Sequence, residues 1–214
     1  MSNRFLHGAV AAFSLSFAAA GAVSAATPST SVETLVLVRH GEKPADVDNG
    51  QLTCTGQNRA LALPGILTPK FGVPNYVFAA KTKENKDSNG VDYWYLRALA
   101  TIEPTAIAAG VTVDVKYKTS DYDKLEKELL KSQYENATVF VAWEHNDLDK
   151  LAANIVKDYG GDASVVPAWP DDYYDSIFVI TLTRSGGHTQ VSFAHDSEGL
   201  TATLSPNCAV PQAQ

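Results

Sequence analysis

The chain has 214 residues, with 17 Lys and Arg against 24 Asp and Glu, for a formal net charge of -7. That balance argues against nucleic acid as a partner, because binding a phosphate backbone needs a basic footprint. A small anionic substrate stays open, since a local cationic pocket can sit on an acidic protein.

Residues 1–25 read as an export signal rather than as part of the fold. Arg4 supplies the positive start, Gly8 to Val23 is small, apolar and uncharged, and Val23-Ser24-Ala25 gives a small-x-small site. Cleavage is therefore expected before Ala26. The apolar run is too short and too Ala-rich for a membrane span, and no cysteine follows it to carry a bacterial lipid anchor. Removing the signal takes away Arg4 and no acid, so the charge goes from -7 to -8. Residues 26–214 are expected to form one domain, large enough to bury a full core without staples. The expected location is periplasmic or secreted, with no membrane contact once the signal is gone. Only Cys54 and Cys208 are present, and a single pair in an oxidising compartment is expected to form a disulfide.

The apolar run Thr34-Leu35-Val36-Leu37-Val38 ends abruptly in Arg39-His40-Gly41-Glu42-Lys43. Such a run reads as a strand buried on both faces of a parallel sheet. Ligands of open α/β sheets bind outside the carboxyl ends of the strands, so Arg39 and His40 leave the sheet where a ligand sits. Gly41 is expected to let the backbone turn and come close to that ligand. A single histidine at a strand end is by itself more often structural, so the rest of the chain has to supply the site.

Ala45 to Gly50 is polar and turn-rich, and Leu52 to Leu63 reads as a helix behind a Thr cap, broken at Pro64-Gly65. Tyr76 to Ala80 is a second short strand, and Lys81 to Asp92 a charged surface excursion of no clear order. In the stretch Tyr95 to Gly110, Thr101 is the expected cap, with Pro104 in the first turn and Gly110 closing the helix. Thr112 to Tyr117 alternates as a strand, and Tyr122 to Lys131 is an amphipathic helix. Thr138 to Trp143 repeats the opening design, a buried-type strand running into Glu144-His145-Asn146, and a helix is expected over Asp147–Tyr159. Ser176 to Thr183 and His188 to Ala194 form a hairpin around Arg184-Ser185-Gly186-Gly187. Alternating strands and helices give a three-layer α/β/α sandwich, its sheet mostly parallel with an antiparallel C-terminal edge hairpin.

Two strands thus deliver His40 and His145 to one sheet edge, Arg39 comes with the first, and Arg97 stands at or before a helix N-terminus, which favours anions. Two guanidinium groups and two imidazoles make a phosphate pocket, because Arg binds phosphate bidentately and keeps its charge. A neutral imidazole nitrogen can attack phosphorus and split hydrolysis into two easier steps.

Arg39-His40-Gly41-Glu42 at a strand end resembles the signature of the histidine phosphatase superfamily, which includes the phosphoglycerate mutases. Leu52-Thr53-x-x-Gly56 resembles that family's next block. Arg97-Ala98-x-x-Thr101, with Glu103-Pro104 and Ala106, resembles the segment of its second phosphate-binding Arg. The strand ending in Glu144-His145 resembles the one carrying its second His. The resemblance implies a histidine phosphatase-like domain over 26–214 in which His40 is the nucleophile and Arg39, Arg97 and His145 bind the phosphoryl oxygens. It implies no cofactor and no metal, and a small phosphorylated substrate. Two departures stand out. Ala79-Ala80 and the long excursion replace the family's Ser and short link, and Asn146 follows the second His where many relatives have Gly or Asp. The acid that protonates the leaving group is therefore not identifiable by position. Glu144 is the first candidate if its strand has already ended, Glu42 the alternative, and Glu103 a third. His188 and His195, and the Tyr173-Tyr174 pair with Trp143 and Trp169, read as structural.

The expected activity is hydrolysis of phosphomonoesters through phosphohistidine without a metal. The alternatives are a phosphohistidine or other phosphoramide hydrolase, which needs no general acid, or a non-catalytic phosphoanion-binding module.

Overall fold

The computed structural model of the chain describes residues 29–45, 49–86 and 90–209. The expected export signal over residues 1–25 lies outside the described residues, as do 46–48 of the polar turn and 87–89 of the excursion.

The first strand, β1 (Thr30–Arg39), alternates exposed and buried residues at its start. From Leu35 to Val38 it is fully buried. The change falls where β1 gains a second neighbour. β6 (Thr138–Trp143) pairs with it in parallel from Thr34 opposite Thr138 to Arg39 opposite Trp143. β7 (Ser176–Ser185) pairs antiparallel on its other side along the whole length, and β8 (His188–Ser197) closes that edge. Beyond β6 come β2 (Tyr76–Ala79) and the two-residue β5 (Val113–Asp114), both parallel. The sheet order is β5-β2-β6-β1-β7-β8. Each fully buried aliphatic side chain contributes about 1.5–3 kcal/mol, so a register slip in β1 is strongly disfavoured.

Helices α1 (Cys54–Ala62), α2 (Pro64–Phe71) and α3 (Arg97–Ala109) pack on one another, with α3 against β2 and β6. A second group, α4 (Tyr122–Leu129) and α5 (His145–Asp158), covers β1, β7 and β8 through α5. Burial of every residue from Val139 to Trp143 follows from cover on both faces, which gives the three-layer arrangement expected. Among the described residues no helix is long and apolar enough to cross a membrane. Cys54 and Cys208 form a disulfide, joining the start of α1 to the C-terminal segment.

Four local expectations need correction. α3 begins at Arg97, not Thr101: the Thr101 hydroxyl donates back to the Arg97 carbonyl at 2.8 Å, a bond inside the helix rather than a cap. The strand expected over Thr112–Tyr117 shrinks to β5, because the Asp114 carboxylate accepts from the Lys116 N–H at 2.8 Å and turns the chain away. The excursion is ordered in part, as a two-stranded ribbon of β3 (Glu84–Lys86) and β4 (Asp92–Trp94) held by backbone pairing that needs no apolar alternation. The strand before the second histidine stops at Trp143. The Glu144 carbonyl accepts from Asp147 and Leu148 N–H at 3.2 and 3.1 Å, so α5 starts at His145 rather than Asp147.

Candidate active site

The parallel pairing of β1 with β6 carries on one step past the strand ends, with the His40 N–H donating to the Trp143 carbonyl at 2.9 Å. That bond sets His40 beside Glu144 and His145. The turn after His40 is fixed by close backbone packing. A Cβ on Gly41 would lie 2.9 Å from the Gly56 carbonyl oxygen, and one on Gly56 would lie 2.6 Å from that of Glu42. Gly41 is not among the residues with positive φ. It is glycine because α1 crosses there, which differs from the expected approach to a ligand. The Gly41 N–H donates to Thr101 Oγ1 at 2.8 Å, tying the same turn to α3. Thr101 thereby links the loop of His40 to the helix that begins with Arg97.

His40 is buried, with 2% exposure. Its Nδ1 lies 2.7 Å from the Gly41 carbonyl oxygen. A carbonyl only accepts, so Nδ1 carries the proton and the lone pair is on Nε2. Burial first, and then the charges of Arg97 and Arg39, push its pKa down to about 3, against the pull of the Gly41 carbonyl and Glu144. The ring is neutral at any ordinary pH.

Each arginine of the site lies over an aromatic face. The Arg39 guanidinium is 3.9 Å from the centre of the Tyr174 ring, and that of Arg97 is 4.9 Å from Tyr95. Both tyrosines also stand 6.2 Å from the His40 ring. Arg39 Nη1 donates to the carbonyls of Pro170 and Tyr173, both at 3.1 Å, which fixes the direction of the fork. Its buried Nε makes no hydrogen bond to a described residue, and an anionic oxygen is the partner such a donor lacks.

His145 is the first residue of α5 and is held between two carboxylates. Nδ1 lies 2.6 Å from Glu144 Oε1 as an ion pair off the line of the ring N–H, and Nε2 lies 2.6 Å from Asp171 Oδ1. Burial works against a charge on His145, but Glu144 and Asp171 outweigh it and the pKa is raised. Glu144 is subject to the same balance in reverse: burial raises it, and the contact with His145 brings it below the usual carboxylate value. Because β6 has ended at Trp143, Glu144 does reach the site, as the first candidate for the acid required.

The other two candidates lie elsewhere. The Glu42 carboxylate is clamped by Arg59. Glu103 is exposed on α3, beside the groove that holds Cys54 and Cys208. Of the remaining histidines, His195 bonds the Ser176 hydroxyl at 2.8 Å and His188 is exposed. Tyr174 departs from its structural reading by covering Arg39. Tyr95, Tyr174 and Asp171 are residues of the site that the motifs did not point to. The last two precede β7, and a strand antiparallel to β1 must begin at the edge where β1 ends. Among the described residues no group of three or more His, Cys, Asp or Glu side chains is arranged to hold a metal ion.

The native structure of a mycobacterial glucosyl-3-phosphoglycerate phosphatase superposes on this chain with a TM-score of 0.51 at 13% identity, over 76% of this chain and 97% of that one. The two share a fold. The same mycobacterial enzyme with inorganic phosphate gives a TM-score of 0.49 at 14% identity, over 76% and 95% of the two chains. A phosphoserine phosphatase variant from Entamoeba histolytica, in complex with phosphoserine, gives 0.45 at 12% identity, over 80% and 99%. No protein-family model matches the chain, and no curated protein does.

Proposed function

We propose that this protein is a histidine phosphatase that hydrolyses phosphomonoesters through a covalent phosphohistidine on His40. The observation that carries the reading is the bond from His40 Nδ1 to the Gly41 carbonyl. It leaves the lone pair on Nε2, in a ring kept neutral by burial and by two flanking arginines. A neutral imidazole beside fixed positive charge suits attack on an anionic phosphorus, because the charge lowers the barrier for the approaching substrate without protonating the nucleophile. Arg39, Arg97 and His145 bind the phosphoryl oxygens and meet the charge of the transition state. In this reading the guanidinium groups do what a metal ion does in other phosphatases, and no cofactor is called on.

The likeness of fold to a phosphatase supports the reading. The disulfide between Cys54 and Cys208 supports an oxidising compartment. An exported enzyme cleaved before Ala26, with one domain over 26–214, fits both. The substrate class is a small phosphorylated molecule.

The test is a rapid acid-free quench with a small phosphomonoester. A base-stable, acid-labile phosphoenzyme is expected in the natural protein and absent in His40→Ala, whose turnover falls by several orders of magnitude. Chelator leaves the rate unchanged. Hydrolysis at a near-normal rate by His40→Ala overturns the reading.

A further inference from the structure

Cleaving a phosphomonoester expels an alkoxide that needs a proton, and the carboxylates near the site differ in what they are free to do. Glu42 is held by three hydrogen bonds from Arg59. Glu144 sits on the Nδ1 side of His145 and is kept ionised by it. Asp171 stands apart from both. Its Oδ1 lies 2.6 Å from His145 Nε2, while its side chain is 90% exposed. Geometry singles it out. His40 is buried, with 2% exposure, and in-line displacement sends the leaving group away from the nucleophile. The leaving oxygen therefore points toward solvent, the side from which Asp171 reaches in.

His145 has Glu144 on Nδ1, so Nε2 is the nitrogen left for a phosphoryl oxygen, and Asp171 holds that place. We propose that Asp171 is the proton donor to the leaving alcohol, displaced from His145 Nε2 by the incoming phosphoryl group. The proposal rests on the phosphohistidine reading above.

In the first step the His40 Nε2 lone pair forms the N–P bond. The P–O bond to the alcohol breaks with its electron pair on oxygen, and the proton of the Asp171 carboxyl moves to that oxygen. In the second step the Asp171 carboxylate takes a proton from water as the water oxygen attacks phosphorus. The N–P bond then breaks, its pair returns to Nε2, and phosphate leaves. The proton that first loads Asp171 comes from the substrate monoanion. While Asp171 is on His145, that contact keeps its carboxyl below the usual range. Once a phosphoryl oxygen takes the His145 N–H, that hydrogen bond is gone; the charges of Arg39 and Lys43 still favour the carboxylate, and the adjacent phosphoryl dianion favours the protonated acid.

The experiment compares Asp171→Asn with the natural protein on two esters, β-glycerophosphate and 4-nitrophenyl phosphate. The second has a leaving group that departs without a proton. The exposed side chain makes Asn tolerable to the fold, which circular dichroism checks. The expected result is a loss of about 10²–10⁴-fold in kcat/KM on β-glycerophosphate and little loss in kcat/KM on 4-nitrophenyl phosphate, while kcat falls on both because Asp171 also serves the hydrolysis of the phosphoenzyme. Inorganic phosphate should also inhibit the variant more tightly, since Asn competes less well for His145. Glu144→Gln, acting through His145, should lower both rates alike. An equal loss in kcat/KM on both esters in Asp171→Asn, or no loss on either, overturns the assignment, and so does a leaving-group-selective loss of kcat/KM in Glu144→Gln. Hydrolysis by the natural protein that disappears in His40→Ala upholds the phosphohistidine reading whatever Asp171 does. If the natural protein hydrolyses neither ester, both fall together.

Discussion

Arg59 grips the carboxylate of Glu42 from the side, Nη2 to Oε1 at 2.7 Å and Nε to both oxygens at 3.1 Å. Arg59 itself is fully buried. Its Nη1 turns the other way, to Asp175 at 3.0 Å and to Glu198. Glu42 follows the turn after His40, and Asp175 follows Tyr174, whose ring lies against Arg39. One side chain from α1 therefore braces both walls of the site around His40.

Removing one partner from a buried ionic cluster leaves charge without compensation, at a cost of about 3–5 kcal/mol. Arg59→Met should lower stability by about that amount, read as a lower urea midpoint with an unchanged slope. Glu198 responds differently. Burial pushes its pKa up to about 8, against the attraction of Arg59, and so favours the protonated acid. Glu198→Gln should then be close to neutral at pH 7. A variant as damaging as Arg59→Met would show that Glu198 is charged there.

The positions of His40 and His145 were legible because each follows a continuous apolar run, and a buried parallel strand leaves its last residues at the ligand edge. Arg97 was legible as a residue, but the helix around it was not. A threonine that caps a helix and one that bonds back to the carbonyl four residues earlier look alike in sequence, and Thr101 does the second. Asp171 and Tyr174 were out of reach for a different reason. The hairpin over β7 and β8 could be read from its alternation. Which strand β7 would pair with is decided by packing across the whole sheet and leaves no local trace. Only the antiparallel register of Leu37 with Phe178 and Val38 with Ile177 brings the loop before β7 to His40.

The disulfide was readable from count and compartment, and its effect can be measured. Cys54 and Cys208 are 154 residues apart, for which loop-closure entropy in the unfolded chain gives at most about 5 kcal/mol. Asn58 of α1 also holds the tail, its Nδ2 donating to the carbonyls of Ser205 and Asn207 at 2.9 and 2.7 Å. Reduction, or the double change Cys54→Ser with Cys208→Ser, should lower stability by about 2–5 kcal/mol. Turnover on 4-nitrophenyl phosphate at 25 °C should persist, because neither sulfur is among the residues around His40. Equal urea midpoints with and without reductant would show that the bridge adds nothing.

The two histidines of the site titrate in opposite directions. His40 is held down to about 3, mainly by burial, so the unfolded chain binds a proton there more readily than the folded one. Its contribution to stability is lost as the pH falls from the ordinary histidine range toward 3. His145 is raised: burial opposes its charge, Glu144 and Asp171 overcome that, and Arg39 opposes them. Its contribution is complete below the ordinary value of 6.5 and is lost as the pH climbs through the raised value. Activity follows the same sign if charged His145 is a phosphoryl ligand. With 4-nitrophenyl phosphate, which needs no proton on its leaving group, kcat/KM should fall on the alkaline side with an apparent pKa above that ordinary histidine value. Glu144→Gln removes the closest negative charge at Nδ1 and should move that limb to lower pH, while His40 remains neutral and the acid side is little changed. A limb that stays in place in Glu144→Gln assigns the alkaline loss to a group other than His145.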